Sequence, residues 1–193
     1  MTMKRISIMF MLAAFSMNTI ICNAQKINSL TARCVKTEHK AAKKSAASAE
    51  GKFYYKAPDN MALVFKEGKE ALLMTGTTYT IVRAGKKSVA KGEMIEVFKP
   101  LQTVLKTVFS QGDLSSLKKI QEVEMVANGN NTEITVTPSV NAKHSLFTSF
   151  IVTVNTKTCE LLSIRMNERR NNYTDYAISS TENNASVNNI SFK

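Results

Sequence analysis

The chain has 193 residues, 26 Lys and Arg against 15 Asp and Glu, and a formal net charge of +11. At roughly 100–200 residues per domain this is one domain, long enough to bury a core without disulfides or metals. A hydrophobic fraction of 44% excludes global disorder, seven Gly and three Pro exclude collagen-like and proline-linker classes, and two His with three Cys leave little material for a zinc site.

In chain order the first element is a targeting signal. Lys4 and Arg5 form a positive start, Ile6 to Ile21 a mostly apolar run, and Cys22-Asn23-Ala24 a small-residue site. This is the grammar of a secretory signal peptide over residues 1–24, with cleavage after Ala24. A membrane anchor is one rival. The run falls short of the ~20 residues a spanning helix needs, and Ser16, Asn18 and Thr19 interrupt it. Lipidation at Cys22 is another, but Ile21 stands where a small residue is wanted. Removal of residues 1–24 takes two basic residues and no acidic one, leaving +9 on residues 25–193. It also takes Cys22, leaving Cys34 and Cys159. An oxidising compartment permits these two to pair; their separation leaves a disulfide and two free thiols equally open.

The remainder is rich in strands. A helix ahead of the first strand has only a faint signal, around Lys26 to Leu30. Ala41 to Ala49 reads as a loop or as a lysine-guarded edge strand. Lys52 to Lys56 is an aromatic strand closed by Pro58-Asp59-Asn60, and Met61 to Phe65 is a continuous apolar strand. Ala71 to Thr75 and Thr77 to Arg83 flank Gly76 as a hairpin, and Gly85-Lys86-Lys87 turns into a short polar strand. In Pro100 to Ser110, Leu101, Val104, Leu105 and Val108 fall at helical spacing. The spacing predicts a helix with Pro100 at its first position and Gly112 at its end, and Asp113 then caps a short turn through Leu117. Further strands are expected at Lys119–Val126, Glu133–Thr137, Leu146–Asn155, Cys159–Asn167, Tyr173–Ser179 and Val187–Phe192. Asn128–Asn131 and Asn155–Thr158 supply turns. Such short connections make the sheet antiparallel.

Charge is uneven along the chain. Residues 25–106 hold 16 basic and 7 acidic residues, and residues 107–193 hold 8 of each. Export argues against nucleic acid as the partner. The lysine-rich half therefore reads as a solvated face, or as a docking face for anionic lipid head groups or an acidic protein. Met61 to Phe65, Leu146 to Val154 and Leu161 to Met166 are apolar on both strand faces and need cover on both. Either the sheet curls over its few helices, or part of this surface meets a ligand; plain burial is the commoner fate of such residues.

Signatures of catalysis are missing. There is no phosphate loop, no dinucleotide fingerprint and no nucleophile elbow. His39 reads as a solvated edge residue and His144 as a turn residue, far from one another. Glu122 and Glu124 alternate as a charged strand face rather than an acid–base pair. The chain is therefore read as a non-enzyme with no catalytic residue, metal or cofactor.

Gly51-Lys52-Phe53-Tyr54-Tyr55-Lys56-Ala57-Pro58-Asp59, followed by a strand ending in Phe65, resembles the LolA family of periplasmic lipoprotein carriers. Leu30 to His39 is similar to that family's first strand, with Cys34 where Phe is usual. Leu72-Leu73-Met74-Thr75-Gly76 resembles its next hairpin. Ser163–Met166, Asn171–Ser179 and Asn188–Phe192 resemble its closing strands. The resemblance covers nearly all of residues 25–193 as a single domain. It implies a mainly β (α+β) fold: a curved antiparallel sheet forming an incomplete barrel, closed by a few helices over an apolar cavity. It also implies a periplasmic, monomeric carrier that shields the acyl chains of lipoproteins between the inner and outer membranes. Such a carrier takes cargo from an inner-membrane release complex and gives it to an outer-membrane acceptor. Burying an acyl chain is worth about 0.8 kcal/mol per CH₂, so an acylated protein leaves a membrane only into an apolar host.

On this reading the cavity is lined by a subset of Phe53, Tyr55, Met61, Leu63, Phe65, Leu73, Leu105, Val108, Phe147, Phe150 and Val152. Which strand face is inner is open. The family places Arg-Trp after its Pro-Asp step, and that Arg is tied to lid closure and cargo release. Ala62 and Leu63 stand there in this chain, so the latch is absent or built from another residue. That departure leaves room for an envelope interaction module, or for a binder of another lipid-like ligand, docking through a basic face.

Overall fold

The computed structural model describes residues 26–43, 45–110, 114–139, 145–187 and 192. The expected signal peptide, the Gly112 stop, the Asp113 cap and His144 lie outside the described residues, as does most of the strand expected at Val187–Phe192. The elements are β1 (Ser29–His39), β2 (Ala47–Lys56), β3 (Asn60–Phe65), β4 (Glu70–Thr75), β5 (Thr78–Arg83), β6 (Lys86–Val89), α1 (Glu93–Ser110), β7 (Val123–Asn128), β8 (Asn131–Val136), β9 (Phe147–Asn155), β10 (Leu161–Glu168) and β11 (Tyr173–Asn183). They form one 11-stranded sheet in the order β6-β5-β4-β3-β2-β1-β11-β10-β9-β8-β7. Two meanders are thus joined where β1 pairs antiparallel with β11, and α1 links their outer ends. The sheet is open, with β6 and β7 as its edges, and it curves around α1, whose Val97, Phe98, Leu101 and Leu105 are buried in one core with residues from both meanders.

Strand alternation fixes the inner face. Leu30, Ala32 and Cys34 of β1 stand opposite Tyr55, Phe53 and Gly51 of β2, and Phe53 and Tyr55 oppose Leu63 and Met61 of β3. All but Gly51 are buried core residues. Gly51 has a steric reason to be glycine. The ring of Phe65, its partner on β3, lies over it, and a Cβ there would run into that ring and the Val64 carbonyl. Gly51→Ala is expected to cost about 2–3 kcal/mol in urea unfolding, the scale of an overpacked core. An unchanged midpoint would show that the ring moves aside freely.

The structure corrects five expectations about the elements. The helix expected around Lys26 to Leu30 does not form: Ser29 already pairs with Lys56, so sheet pairing claims this segment. Ala47 to Ala49 belong to β2, which lies between β1 and β3 and is not an edge. The lysine-guarded edge is instead β6, with exposed Lys86 and Lys87. The helix begins at Glu93 rather than Pro100, so Pro100 is inside it. An interior Pro removes one ladder hydrogen bond, that to the carbonyl of Glu96, and costs about 3 kcal/mol. Glu96 is exposed to water, and burial of Val97, Phe98 and Leu101 on the flanking turns outweighs the loss. Finally, β7 starts at Val123 and Glu122 precedes it in a turn, because Leu114 and Leu117 anchor a 3-10 helix from Leu114 to Lys119. Val187 is not in a strand.

Candidate functional site

One end of the curved sheet is closed by α1, and a polar side chain, that of Gln102, ties it to two turns of the sheet. Gln102 faces inward among apolar neighbours. Its Nε2 donates to the carbonyl oxygens of Asp59 at 2.8 Å and Gly76 at 2.9 Å, in the turns before β3 and after β4. Its Oε1 accepts a 2.6 Å hydrogen bond from the Tyr79 hydroxyl. Gly76 sits at φ +56°, the left-handed conformation glycine adopts without cost, which shapes the hairpin turn the amide reaches. Burial, then the charges of Glu96 and Asp59, push the Tyr79 phenol up to about 12. Near this end Phe109 packs 4.5 Å from the ring of Tyr55.

Toward the other end the inner face encloses a cavity of about 580 Å³. Its apolar wall includes Leu63, Phe65, Leu72, Ile81, Met166 and Tyr176. Phe98 of α1 and Phe147 of β9 complete it, their ring centroids 5.3 Å apart. The exposed residues Arg83, Ala84 and Leu146 mark its mouth. Charge lies along the same wall. Lys36 follows Cys34 at the next inward position of β1. Its ammonium is 2.8 Å from Glu38, 2.5 Å from Glu70 and 5.5 Å from the centre of the Phe65 ring. Lys66 also engages Glu70 at 2.5 Å, and Lys40 engages Glu168 at 3.1 Å.

These ion pairs leave a pH signature. Burial pulls the Lys36 ammonium down, but its hydrogen bonds to Glu38 and Glu70 outweigh this and raise it above its ordinary value. The hydrogen bond from Lys36 lowers Glu38 against the opposing effect of burial, and hydrogen bonds from Lys36 and Lys66 lower Glu70. Both carboxyls therefore titrate below their ordinary 4.5. Their stabilisation is full above that value and is lost as pH falls through the folded-state values. The Lys36 contribution is full below its ordinary 10.5 and is lost as pH rises through its raised value. Urea midpoints followed from neutral pH down through the carboxylate range are expected to fall less steeply for Lys36→Met than for the native chain. Equal slopes would mean the pairs carry no linkage.

Of the residues expected to line a cavity, Leu63, Phe65 and Phe147 do so here. Val108 lines a second, smaller cavity of about 250 Å³ with Leu30, Phe109, Leu161 and Ile178. Phe53, Tyr55, Met61, Leu105, Phe150 and Val152 are inward but lie within the packed core. Leu73 alternates with inward Leu72 and Met74, so it faces the other side of β4, as does its partner Ala62 on β3. Lys36 and Arg83 read in the sequence only as members of the cationic surplus of residues 25–106, and Glu70 and Gln102 are not singled out there. Lys36 is legible in hindsight as the continuation of the alternating Leu30, Ala32, Cys34 face. Gln102 is a lone polar residue in an apolar helical stripe.

Cys34 is a free, fully buried thiol, so it does not pair with Cys159. Burial pushes it up to about 12, which keeps it unreactive. His39 is not on an edge. It stacks on Tyr173 at 4.3 Å on the outer face, 3.6 Å from Asp175, which also takes both guanidinium contacts of Arg165 at 2.6 and 3.2 Å. Among the described residues no group of His, Cys, Asp and Glu could hold a metal ion, and no helix is long and apolar enough to cross a membrane.

An open antiparallel sheet wrapped on one long helix, with a cavity left on its inner face, is the architecture of a small binding fold. The chain belongs to the family described as outer membrane lipoprotein carrier protein LolA, which matches residues 25–193. No curated protein matches the chain. Solved structures with a similar course include a LolA superfamily protein of Nitrosomonas europaea, with 8% identity, a TM-score of 0.43, and 86% of this chain and 90% of that chain covered. Another is a lipoprotein-sorting protein domain of Vibrio parahaemolyticus, with 12% identity, a TM-score of 0.42, and 86% and 89% covered. A third is the lipoprotein LppX of Mycobacterium tuberculosis, with 12% identity, a TM-score of 0.34, and 84% and 89% covered.

Proposed function

We propose that this chain is a periplasmic carrier that shields acyl chains of lipoproteins in transit from the inner to the outer membrane. The observation that carries the reading is the cavity of about 580 Å³, its wall part aliphatic and aromatic and part ion-paired, in a member of the LolA family. That volume lies within the roughly 300–1,000 Å³ of ligand sites. The work is burial, so no reacting group is required. Residues 1–24 direct export and are removed after Ala24, and cargo passes from an inner-membrane release complex to an outer-membrane acceptor. Ala62, at the place where the family carries its latching Arg, faces away from α1, and the Gln102 contacts are the tie between helix and sheet in this chain.

A second reading is favoured by the surplus of cations where the cavity opens. Lys66 and Lys69 lie in the connection before β4, and Arg83 and Lys86 flank the turn between β5 and β6; a hydrogen bond from the Gly85 amide to the Lys69 carbonyl holds the two connections together. This face suits docking on an acidic envelope partner. The two readings separate by experiment. Protein purified from an envelope extract is expected to carry acyl chains or lipoprotein detectable by mass spectrometry, and Leu63→Asp is expected to abolish lipoprotein transfer. An empty cavity with no response to an apolar dye would sink the carrier reading. Binding to a protein partner that high salt abolishes, with the cavity empty, would favour docking.

A further inference from the structure

The ion pairs on the cavity wall leave one cation over. Lys36 is engaged by Glu38 and Glu70, and Lys40 by Glu168. All three carboxylates on the wall are thereby occupied, Glu70 twice. Arg83 is the third cation lining the cavity, and it has no carboxylate partner among the described residues. It follows Tyr79 and Ile81 at alternate positions of β5, so its side chain leaves the strand toward the inner face, at the mouth. Its charge acts on Tyr176, which lines the same cavity from β11 and is otherwise held high by burial.

Volume adds a second constraint. A methylene takes about the space of a water molecule, roughly 30 Å³. A cavity of about 580 Å³ then accepts on the order of 20 methylenes, one long acyl chain rather than two or three. The cavity thus offers an apolar wall for one chain and a spare guanidinium where the head of that chain emerges.

We propose that the cavity takes one acyl chain bearing a carboxylate at its head, and that Arg83 holds this carboxylate at the mouth. The inference rests on the acyl-shielding reading above and narrows its cargo. The carboxylate belongs either to a free fatty acid or to an acidic residue beside the lipid anchor of a peptide. Guanidinium recognition is the same for both.

The test uses two matched pairs of probes on the purified protein: a fluorescent fatty acid with its methyl ester, and a palmitoylated peptide with Glu or Gln next to the acylated residue. The acid of a pair is expected to bind on the order of fivefold more tightly than its neutral partner, the worth of one part-exposed ion pair. Arg83→Gln is expected to erase that preference by bringing binding of the acid down to the level of its neutral partner. Arg83 is exposed, so the fold tolerates the change. A preference in the fatty-acid pair assigns the carboxylate to a free lipid, and one in the peptide pair assigns it to a lipid-anchored peptide; either supports the site. Equal affinities within both pairs, or a preference that survives Arg83→Gln, overturns the inference and leaves acyl shielding standing. No binding of any chain overturns both.

Discussion

Replacing Ile81 with tryptophan is expected to weaken binding of a single-chain acyl probe on the order of 30-fold, with the fold retained. Ile81 is half-buried on the inner face of β5, paired with Leu72, and both line the cavity. An indole there takes up the space of roughly two or three methylenes. Each displaced methylene costs the ligand about 0.8 kcal/mol, so about 2 kcal/mol of affinity is lost. Because Ile81 borders a void instead of close-packed atoms, the larger side chain does not overpack the core. Fluorescence titration reads the affinity, and an unchanged urea midpoint shows that the protein is still folded. Undiminished binding in a folded variant would place the chain elsewhere, with the smaller cavity around Val108 and Leu161 the next candidate.

Gln102→Leu is expected to destabilise the protein by about 3 kcal/mol, since an unsatisfied buried polar group costs about 1–3 kcal/mol. The change orphans the Tyr79 hydroxyl and the carbonyls of Asp59 and Gly76 together. Tyr79 is 1% exposed, so water does not readily replace the lost partner. For a chain of this size such a loss lowers Tm by about 6–12 °C. Adding Tyr79→Phe removes one orphan, so the double variant is expected to recover part of the loss. A Gln102→Leu protein within about 0.5 kcal/mol of the native chain, the range of an ordinary surface change, would show that the three contacts do not hold α1 in place.

The strands were legible because each carries a local signal. Aromatic and β-branched runs are bounded by Gly, Asn and Pro, and a two-residue period survives without knowledge of neighbours. β9, expected at Leu146–Asn155, is found at Phe147–Asn155. The helix was half legible. Val97 and Phe98 continue the apolar spacing upstream, but the local preference for Pro at a helix start pointed to Pro100. Tertiary burial of the first turns outweighed that preference. The cavity was the least legible. Phe53 and Phe65 read alike in the sequence, yet Phe53 packs against Phe109 and Phe65 borders the void beside Tyr176.

The charge met first along the chain shows the division most clearly. From the sequence alone come the excess of cations in residues 25–106, the lack of catalytic signatures, the antiparallel strands and the family resemblance. All of these are properties of composition, short-range period or ordered motif. Which cations matter was decided only by the tertiary structure. Lys36 and Arg83 are separated by most of the first meander, yet the curl of the sheet brings both to one cavity wall, where one is neutralised by Glu38 and Glu70 and the other is left over. Register and curvature are set by long-range pairing, above all β1 with β11. No local pattern encodes which partner a charge meets once the two halves of the sheet face one another around α1.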